Sequence, residues 1–151
     1  MHRVYEDSWD ALSKWIKGTH SSVSERMLEL LEPLTTTTRL VAMYCDRDSH
    51  EERSYSCVLA TNGWVHELEA SIPDGAVKLE SWPLSHVENL KIEISGVIRG
   101  SEKYSVAFLI KEGRQFQWDD EVNLETGPGS REHAKSALRF VTSLRGMLSP
   151  L

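Results

Sequence analysis

The sequence lacks the short motifs that accompany the common enzyme chemistries. It contains no Gly-x-Ser-x-Gly elbow for a serine nucleophile, no glycine-rich phosphate loop and no Gly-x-Gly-x-x-Gly dinucleotide fingerprint. None of the six histidines falls in a zinc-ligand spacing, and the acidic run 119–121 lacks the alternating oxygen ligands and the fixed glycine of a calcium loop. We therefore expect no metal, no cofactor and no catalytic residue, and an enzyme is the less favoured interpretation.

Long apolar runs and an excess of basic charge are also missing. No stretch approaches the roughly 20 apolar residues of a membrane span, and acidic residues among the first ten come too early for a signal peptide. With 17 basic and 23 acidic residues the formal net charge is −6, which repels phosphate backbones unless basic residues cluster. These absences predict a soluble cytoplasmic protein that binds no nucleic acid.

Basic residues concentrate only on the last predicted helix, where Arg131, Lys135 and Arg139 follow one another at spacings of four. That spacing places them along one stripe of a helix. A solvated outer face is the simpler interpretation of such a stripe. Recognition of an anionic membrane surface is the weakest of the functional hypotheses.

Cysteine is scarce, since the chain has only Cys45 and Cys57. Two cysteines are too few for a disulfide framework. Both lie on predicted strands that are neighbours in sequence, but the register between those strands is open at this point. Free, partly buried thiols are favoured, and a bridge between the two stays an alternative.

What the chain does have is an ordinary globular composition with a surplus of tryptophan. It has 151 residues, of which 40% are hydrophobic and 26% charged, and five are tryptophan. A single domain of this size buries roughly 68–70% of its unfolded surface, which is enough for a stable core without disulfide bonds or structural metal ions. Tryptophan is bulky and amphipathic, so some of the five are expected at a core margin or an interface.

Two helices are predicted at the start of the chain. The first covers residues 7–17, with Asp7 as its N-cap, Gly18 as its C-cap, and one apolar face at Tyr5, Trp9, Leu12 and Ile16. The second begins at Ser22, where Ser22 and Glu25 have the spacing of a capping box, and it ends at Pro33. The threonines 35–38 are β-branched and favour extended backbone.

Seven short strands are predicted between residue 39 and the last helix. The best local signal is Asn62-Gly63, because both residues tolerate the positive φ of a tight hairpin turn. In the fifth strand Leu90, Ile92 and Ile94 alternate with polar residues, which indicates a half-buried strand. The predicted strands are 39–45, 54–60, 64–70, 76–81, 87–95, 103–111 and 114–119.

An amphipathic helix closes the sequence over residues 131–148. Ser130 is its predicted N-cap, after a Gly-Pro-Gly boundary. Burying the larger aliphatics of its apolar face contributes on the order of 6–12 kcal/mol of transfer free energy, at about 1.5–3 each. We therefore expect this helix to be docked. Its apolar face consists of Ala134, Ala137, Leu138, Val141, Leu144 and Leu148.

This order of elements, about seven antiparallel strands and then one amphipathic helix, resembles the pleckstrin-homology-like superfold from Arg39 to Leu148. The resemblance rests on element order, with the Asn62-Gly63 hairpin and the helix after the last strand as its only motif-like points. It implies an α+β fold in which two antiparallel sheets form a sandwich or partial barrel capped by the C-terminal helix. The predicted organisation is a helical hairpin extension, 1–34, and a β-domain, 35–151.

The resemblance also bears on ligands. Phosphoinositide-binding members carry basic residues around the first hairpin loop, whereas here residues 46–53 hold four acidic residues against two arginines and a histidine. That departure argues against inositide binding. Peptide-binding members use the groove between a sheet edge and the last helix, where an extended peptide adds as a strand.

Two sets of candidate site residues follow. Trp9 and Trp15, on the first helix, are candidates for an interface. The leading hypothesis is therefore a non-enzymatic interaction module that binds a protein or peptide partner or forms a homodimer. The alternative is a small-ligand-binding protein or minor enzyme with a cavity between sheet and helix. Whether the first two helices pack on their own sheet or on a second copy is left open. The residues near such a cavity are Trp64, His66, Trp82 and His86.

Overall fold

The structure is a computed structural model that describes residues 7–48, 54–96, 101–111, 113–123 and 128–148. Within these ranges it has three α-helices and seven strands, and every strand pair is antiparallel. The sheets have the orders β1-β2-β3-β4 and β5-β6-β7. The predicted α+β class and order of elements are confirmed. The elements are α1 Trp9–Lys17, α2 Ser21–Thr37, β1 Leu40–Asp48, β2 Ser54–Thr61, β3 Trp64–Ser71, β4 Val77–Pro83, β5 Val87–Gly96, β6 Ser101–Ile110, β7 Arg114–Asn123 and α3 Pro128–Leu148.

The chain forms two compact units, Met1–Pro83 and Leu84–Leu151. The first unit contains α1, α2 and the four-stranded sheet, and the second contains the three-stranded sheet and α3. The predicted division into 1–34 and 35–151 stays a prediction, because it concerns which segment folds independently. Over the described ranges, no helix combines the length and the apolar character that a bilayer crossing requires.

Helix α1 is capped one residue later than predicted. Ser8 is the N-cap, and its hydroxyl accepts a hydrogen bond from the Ala11 N–H at 3.1 Å. Asp7 instead reaches the sheet, where its carboxylate accepts from the Met43 N–H at 3.3 Å. The Asp7 carboxylate thus accepts a hydrogen bond from strand β1, and the Ser8 hydroxyl accepts one from the first turn of the helix. The C-cap at Gly18 is confirmed.

Helix α2 begins and ends where local sequence signals did not place it. Its N-cap is His20, whose ring Nδ1 accepts from the Ser22 N–H at 3.1 Å, so the predicted capping box at Ser22 is wrong. It also continues through Pro33 to Thr37, so the predicted end at Pro33 is wrong. Threonines 35–37 are helical, and their hydroxyls donate back to carbonyls of the preceding turn at 2.6–3.2 Å.

The apolar faces of both helices pack on their own sheet. The indole N–H of Trp9 donates to the Thr38 carbonyl at 2.8 Å, and the phenol oxygen of Tyr55 accepts from the His20 N–H at 3.0 Å. Arg26 donates to the Gly75 carbonyl at 2.6 Å and so fixes α2 to the turn between β3 and β4. The first unit thus has its own core. Its buried members are Leu12, Ile16, Val23, Met27, Leu31, Leu40, Tyr55, Cys57, Leu59, Leu68 and Ala70.

Turn chemistry in the first sheet follows the sequence closely. The Asn62-Gly63 hairpin is confirmed, with Thr61 opposite Trp64 and Gly63 at φ +93°. Strand β4 extends beyond its predicted end at residue 81, and Pro83 lies inside it as its last residue, opposite Trp64. Strand β4 is at the edge of its sheet, where a missing N–H costs no ladder hydrogen bond.

In the second unit, α3 covers one face of the three-stranded sheet with an aromatic cluster. Phe108 stacks on Phe116 with ring centroids 4.8 Å apart, and Phe140 of α3 lies 6.1 Å from Phe108 and 6.3 Å from Trp118. Phe140 is 1% exposed, so the expected docking of the last helix is confirmed. The opposite face is polar, with a ladder of side-chain hydrogen bonds through Gln115, Gln117 and Asp119.

Candidate functional site: the open edge of β5

Strand β5 forms one edge of the three-stranded sheet, and in the described part of the chain no strand pairs with its outer side. It is ten residues long, from Val87 to Gly96. A strand edge presents a row of backbone N–H and C=O groups that can pair with another chain. Only every second residue of β5 directs its backbone groups to this open side.

The hairpin between β6 and β7 determines which residues of β6 bond to β7 and which bond to β5. Its turn closes with the Gly113 N–H donating to the Ile110 carbonyl at 3.2 Å, so Ile110 bonds toward β7. In an antiparallel sheet successive residues direct their backbone groups to alternate sides. Even-numbered residues of β6 therefore bond to β7 and odd-numbered ones to β5. A separate hydrogen bond, from the Lys111 N–H to the His86 carbonyl at 2.9 Å, agrees with this alternation.

The alternation in β6 also determines which residues of β5 direct their backbone groups toward β6. Lys91, Glu93 and Ser95 lie opposite Ala107, Ser105 and Lys103 and bond inward to β6. Ile92 and Ile94 lie between them, so both direct their N–H and C=O groups to the open edge. These two isoleucines offer the donors and acceptors that an added strand needs.

The side chains of Ile92 and Ile94 face the same side of the sheet as α3. Ile92 lies opposite Val106, and Ile94 lies opposite Tyr104, against which Leu138 of α3 packs. Ile94 is nevertheless 52% exposed, the most exposed large apolar side chain among the described residues. An apolar surface therefore runs along the open edge beside α3, with Tyr104 buried beneath it, and we call Ile92, Ile94, Tyr104 and Leu138 the β5 edge site.

A bulge marks the beginning of this edge. The pairing of β5 with β6 shifts between Glu88 and Lys91, and Asn89 there has φ 55°, the only non-glycine residue of the described chain in the left-handed region. Asparagine tolerates that region better than most residues. Bulges are common at sheet edges and beside binding sites, where they bend a strand and terminate pairing. Here the bulge separates the site from the start of β5.

Charges lie on the opposite face of the sheet. Lys91 pairs with Glu93 at 3.7 Å with both side chains more than half exposed, so this ion pair contributes little. A hydrogen bond from Ser105 is the largest of several effects that lower the pKa of Asp119 below its usual value. The β5 edge site thus combines an apolar face toward α3 with a charged face away from it.

The predicted interface residues Trp9 and Trp15 are engaged within the first unit. Trp9 bonds to Thr38, and the ring of Trp15 meets Tyr55 edge-on at 5.9 Å. A groove of about 290 Å³ runs between α1 and α2, with Trp9, Leu28 and Glu32 among its lining residues. This volume is at the lower limit of small-molecule pockets. A partner contact through these tryptophans stays a prediction.

The four residues predicted to share a cavity lie in different places. Trp64 and His66 are on one face of β3, and Trp64 is 44% exposed. Trp82 lies opposite Val65 and therefore on the other face of that sheet. His86 follows in a short 3₁₀ turn that belongs to the second unit. Their role as a ligand site stays a prediction.

His66 has the geometry of a structural histidine. It is 3% exposed, and burial lowers its pKa below the ordinary 6.5. Its Nδ1 lies 2.7 Å from the Ser81 hydroxyl, and its Nε2 lies 3.0 Å from the Thr61 hydroxyl. A neutral imidazole donates from one nitrogen and accepts at the other, so the two hydroxyls satisfy both. Ser81, Thr61 and His66 thus connect three neighbouring strands.

A carboxylate cluster on β3 and β4 has a structural counterion. Oxygens of Glu67, Glu69 and Glu80 lie within 4.8 Å of one another, a spacing that could hold a cation. The Lys78 ammonium, however, lies 3.3 Å from Glu80 and 3.6 Å from Glu69. Glu80 and then Glu69 raise the pKa of Lys78, so the lysine stays charged. The sequence signal for this cluster, acidic residues at alternate positions on adjacent strands, was missed.

The basic stripe of the last helix is described only in part. Lys135 is exposed, and Arg139 is half-buried. The side chain of Arg131 lies outside the described residues. The two described side chains do not test the predicted stripe, which stays a prediction.

Comparisons with known proteins bear on the fold alone. No family model and no curated protein matches the chain. Among solved structures, the chain is similar to a DUF1696 family protein with a pleckstrin-homology domain from Shewanella loihica PV-4, at 14% identity and a TM-score of 0.38. The alignment covers 78% of this chain and 92% of that chain. The order of elements, seven antiparallel strands in two sheets and then one helix, agrees with the expected pleckstrin-homology-like architecture, and no specific family is identified.

Proposed function

We propose that the protein is a non-enzymatic interaction module that binds an extended peptide at the β5 edge site by strand addition. The observation that carries this proposal is the outward direction of the Ile92 and Ile94 backbones on a strand that nothing pairs in the described chain. Strand addition takes its affinity from main-chain hydrogen bonds and its specificity from pockets for alternate side chains. The β5 edge supplies the main-chain hydrogen-bonding groups, and the apolar surface beside α3 supplies contacts for alternate side chains.

The site also indicates what kind of peptide it takes. Side chains of an added strand alternate between the two faces of the sheet. Those on the α3 side would meet Ile94 and Leu138, so apolar residues are expected at every second position of the peptide. Those on the other side would lie beside Lys91 and Glu93, which suits polar residues of either charge.

A selection experiment with a blocking variant tests this proposal. Random peptides displayed on phage are selected on the full chain and counter-selected on Ile94→Pro, which removes one outward donor and the apolar Ile94 side chain while keeping the hydrogen bonds between β5 and β6. Glu93→Gln is the matched control, because its side chain lies on the polar face and its backbone bond is kept. We expect peptides with alternating apolar residues that bind the native chain and Glu93→Gln at least tenfold more tightly than Ile94→Pro.

Two outcomes would contradict the proposal. One is a selection that yields no peptide dependent on the Ile94 backbone. The other is a selected peptide that binds Ile94→Pro and the native chain equally, which would place its site elsewhere. A peptide that loses affinity for Glu93→Gln alone would indicate recognition by the polar face.

Self-association is a second form of the same proposal. An unpaired edge strand can pair with the same strand of a second copy, which would give a homodimer with the symmetry common to such assemblies. Light scattering of the full chain at high micromolar concentration tests this. Dimerisation that Ile94→Pro abolishes would support edge pairing, whereas dimerisation that Ile94→Pro leaves unchanged would direct attention to α1 and α2.

A further inference from the structure

Strands β1 and β2 place the two cysteines directly opposite each other. Cys45 is paired with Cys57 in an uninterrupted stretch of register from Ala42 to Asp48. Cys57 is fully buried in the core of the first unit, and Cys45 is partly buried against the same core. The two thiols are free and in hydrogen-bond contact.

The type of pair matters for what these thiols can do. The two-residue turn at Asn62-Gly63 closes on the pair Thr61 and Trp64, so odd-numbered residues of β2 bond to β3. Cys57 is one of them, which makes Cys45 and Cys57 a non-hydrogen-bonded pair across β1 and β2. In such pairs the Cα atoms are about 4.5 Å apart, inside the range of about 4.4–6.8 Å in which disulfides form.

We propose that Cys45 and Cys57 are a reversible oxidation site that forms a cross-strand disulfide with low-molecular-weight disulfides such as glutathione disulfide. The ladder between β1 and β2 already holds the two residues in register, so closing the bond requires no rearrangement of the strands. This site is independent of peptide binding at β5.

The reaction balances as a thiol–disulfide exchange. The thiolate of Cys45, the more exposed of the two, attacks one sulfur of glutathione disulfide and releases one glutathione thiolate, which takes up a proton. The Cys57 sulfur then attacks the Cys45 sulfur of the mixed disulfide, and its proton leaves with the second glutathione. One protein disulfide and two glutathione thiols replace two protein thiols and one glutathione disulfide.

Burial determines the order of these steps. Burial and the neighbouring Cys45 raise the pKa of Cys57 well above its usual value, so Cys57 alone is a poor nucleophile. The thiolate that first attacks an external disulfide is therefore that of Cys45. Cys57 reacts only because the mixed disulfide is held beside it at high effective concentration.

The test uses the full reduced chain, equilibrated with glutathione and glutathione disulfide in defined ratios and then alkylated. We expect intact mass to show an unalkylated, crosslinked protein at high disulfide fraction, and peptide mapping to join Cys45 to Cys57. Dithiothreitol should restore both alkylation sites. The oxidised protein should keep the far-ultraviolet circular dichroism of the reduced one and unfold at a higher urea concentration.

Two variants separate the steps. Cys57→Ser should stop at a mixed disulfide with one glutathione on Cys45, and Cys45→Ser should stay unmodified under the same conditions. The proposal is overturned if the native chain remains fully alkylatable at the highest disulfide fraction, or if it accumulates glutathione on Cys45 without the crosslink. It is also overturned if crosslinking requires unfolding, as loss of the circular dichroism signal would show.

Discussion

His66 is a single buried group whose titration affects stability in a known direction. Burial lowers its pKa below 6.5, so the folded state binds fewer protons than the unfolded chain as the pH falls through that value. The free energy of unfolding should therefore decrease below about pH 6.5 and stop changing, for this group, below the folded-state pKa. The slope from one proton is at most about 1.4 kcal/mol per pH unit.

Urea titrations between about pH 5 and pH 8, the range in which histidine titrates, check this expectation. The difference in unfolding free energy between the native chain and His66→Gln should shrink as the pH falls. His86→Gln is the matched control, since it removes a histidine that is only half-buried. A difference that stays constant over the range would show that His66 does not couple to folding.

Asn89 gives a second test at one residue. Its φ of 55° is a conformation that β-branched side chains rarely adopt. Asn89→Val should lower the free energy of unfolding by on the order of 1–2 kcal/mol, whereas Asn89→Gly should leave it nearly unchanged. Chemical denaturation of both variants measures this. Equal stabilities for the two would mean that Asn89 does not hold the left-handed conformation in solution.

At the level of elements, Pro33 is the clearest case of a local rule overridden by packing. Proline inside a helix removes a hydrogen bond and crowds the preceding turn, at a cost of about 3 kcal/mol relative to alanine. Val23, Met27 and Leu31 hold the helix in the core of the first unit, and Leu34, which follows the proline, packs against the same core, so helix α2 continues through Pro33.

Pro33→Ala should therefore raise the free energy of unfolding, by up to about 3 kcal/mol. Pro33 is exposed, so no core contact is lost with the ring. Glu32→Ala, at an exposed position of the same turn, is the control and should change stability by less than about 0.5 kcal/mol. No gain for Pro33→Ala would indicate that α2 ends before residue 33.

Proline substitutions also test the direction of the β5 backbone. Glu93→Pro removes an N–H that bonds to β6 and should lower stability by on the order of 1–3 kcal/mol, because it leaves the carbonyl of the buried Ser105 unsatisfied. Ile94→Pro removes an N–H at the open edge and should change stability by less than about 1 kcal/mol. Thermal or urea unfolding of the two variants distinguishes them. The reverse ranking would mean that Glu93, and not Ile94, faces the open edge.

Sequence patterns predicted the elements of this fold better than the connections between them. The alternation in β5 and the Asn62-Gly63 turn fixed those strands to within a residue or two. The start and end of α2 were missed because a histidine cap and the backward hydrogen bonds of the threonines depend on neighbouring turns. The pairing of the two cysteines depends on register between strands, which local patterns do not contain.

The same distinction applies to the candidate site. The alternation predicted a half-buried strand with Ile92 and Ile94 on one face, but the sequence could not show that no described strand pairs with their backbones. An edge is a property of the sheet and not of the strand. Trp9 and Trp15 were predicted to lie at an interface because tryptophan is large and amphipathic, yet both have partners within the chain.

At the scale of the whole molecule, the central proposal is that an extended peptide adds to β5. The most direct measurement is backbone amide hydrogen exchange of the full chain, with and without a peptide that was selected on the native chain and counter-selected on Ile94→Pro. In the free protein the amides of Lys91 and Glu93 should be protected and those of Ile92 and Ile94 should exchange quickly. The account predicts that the peptide slows exchange at Ile92 and Ile94 by more than tenfold. Unchanged exchange at these two amides in a saturated complex would contradict it.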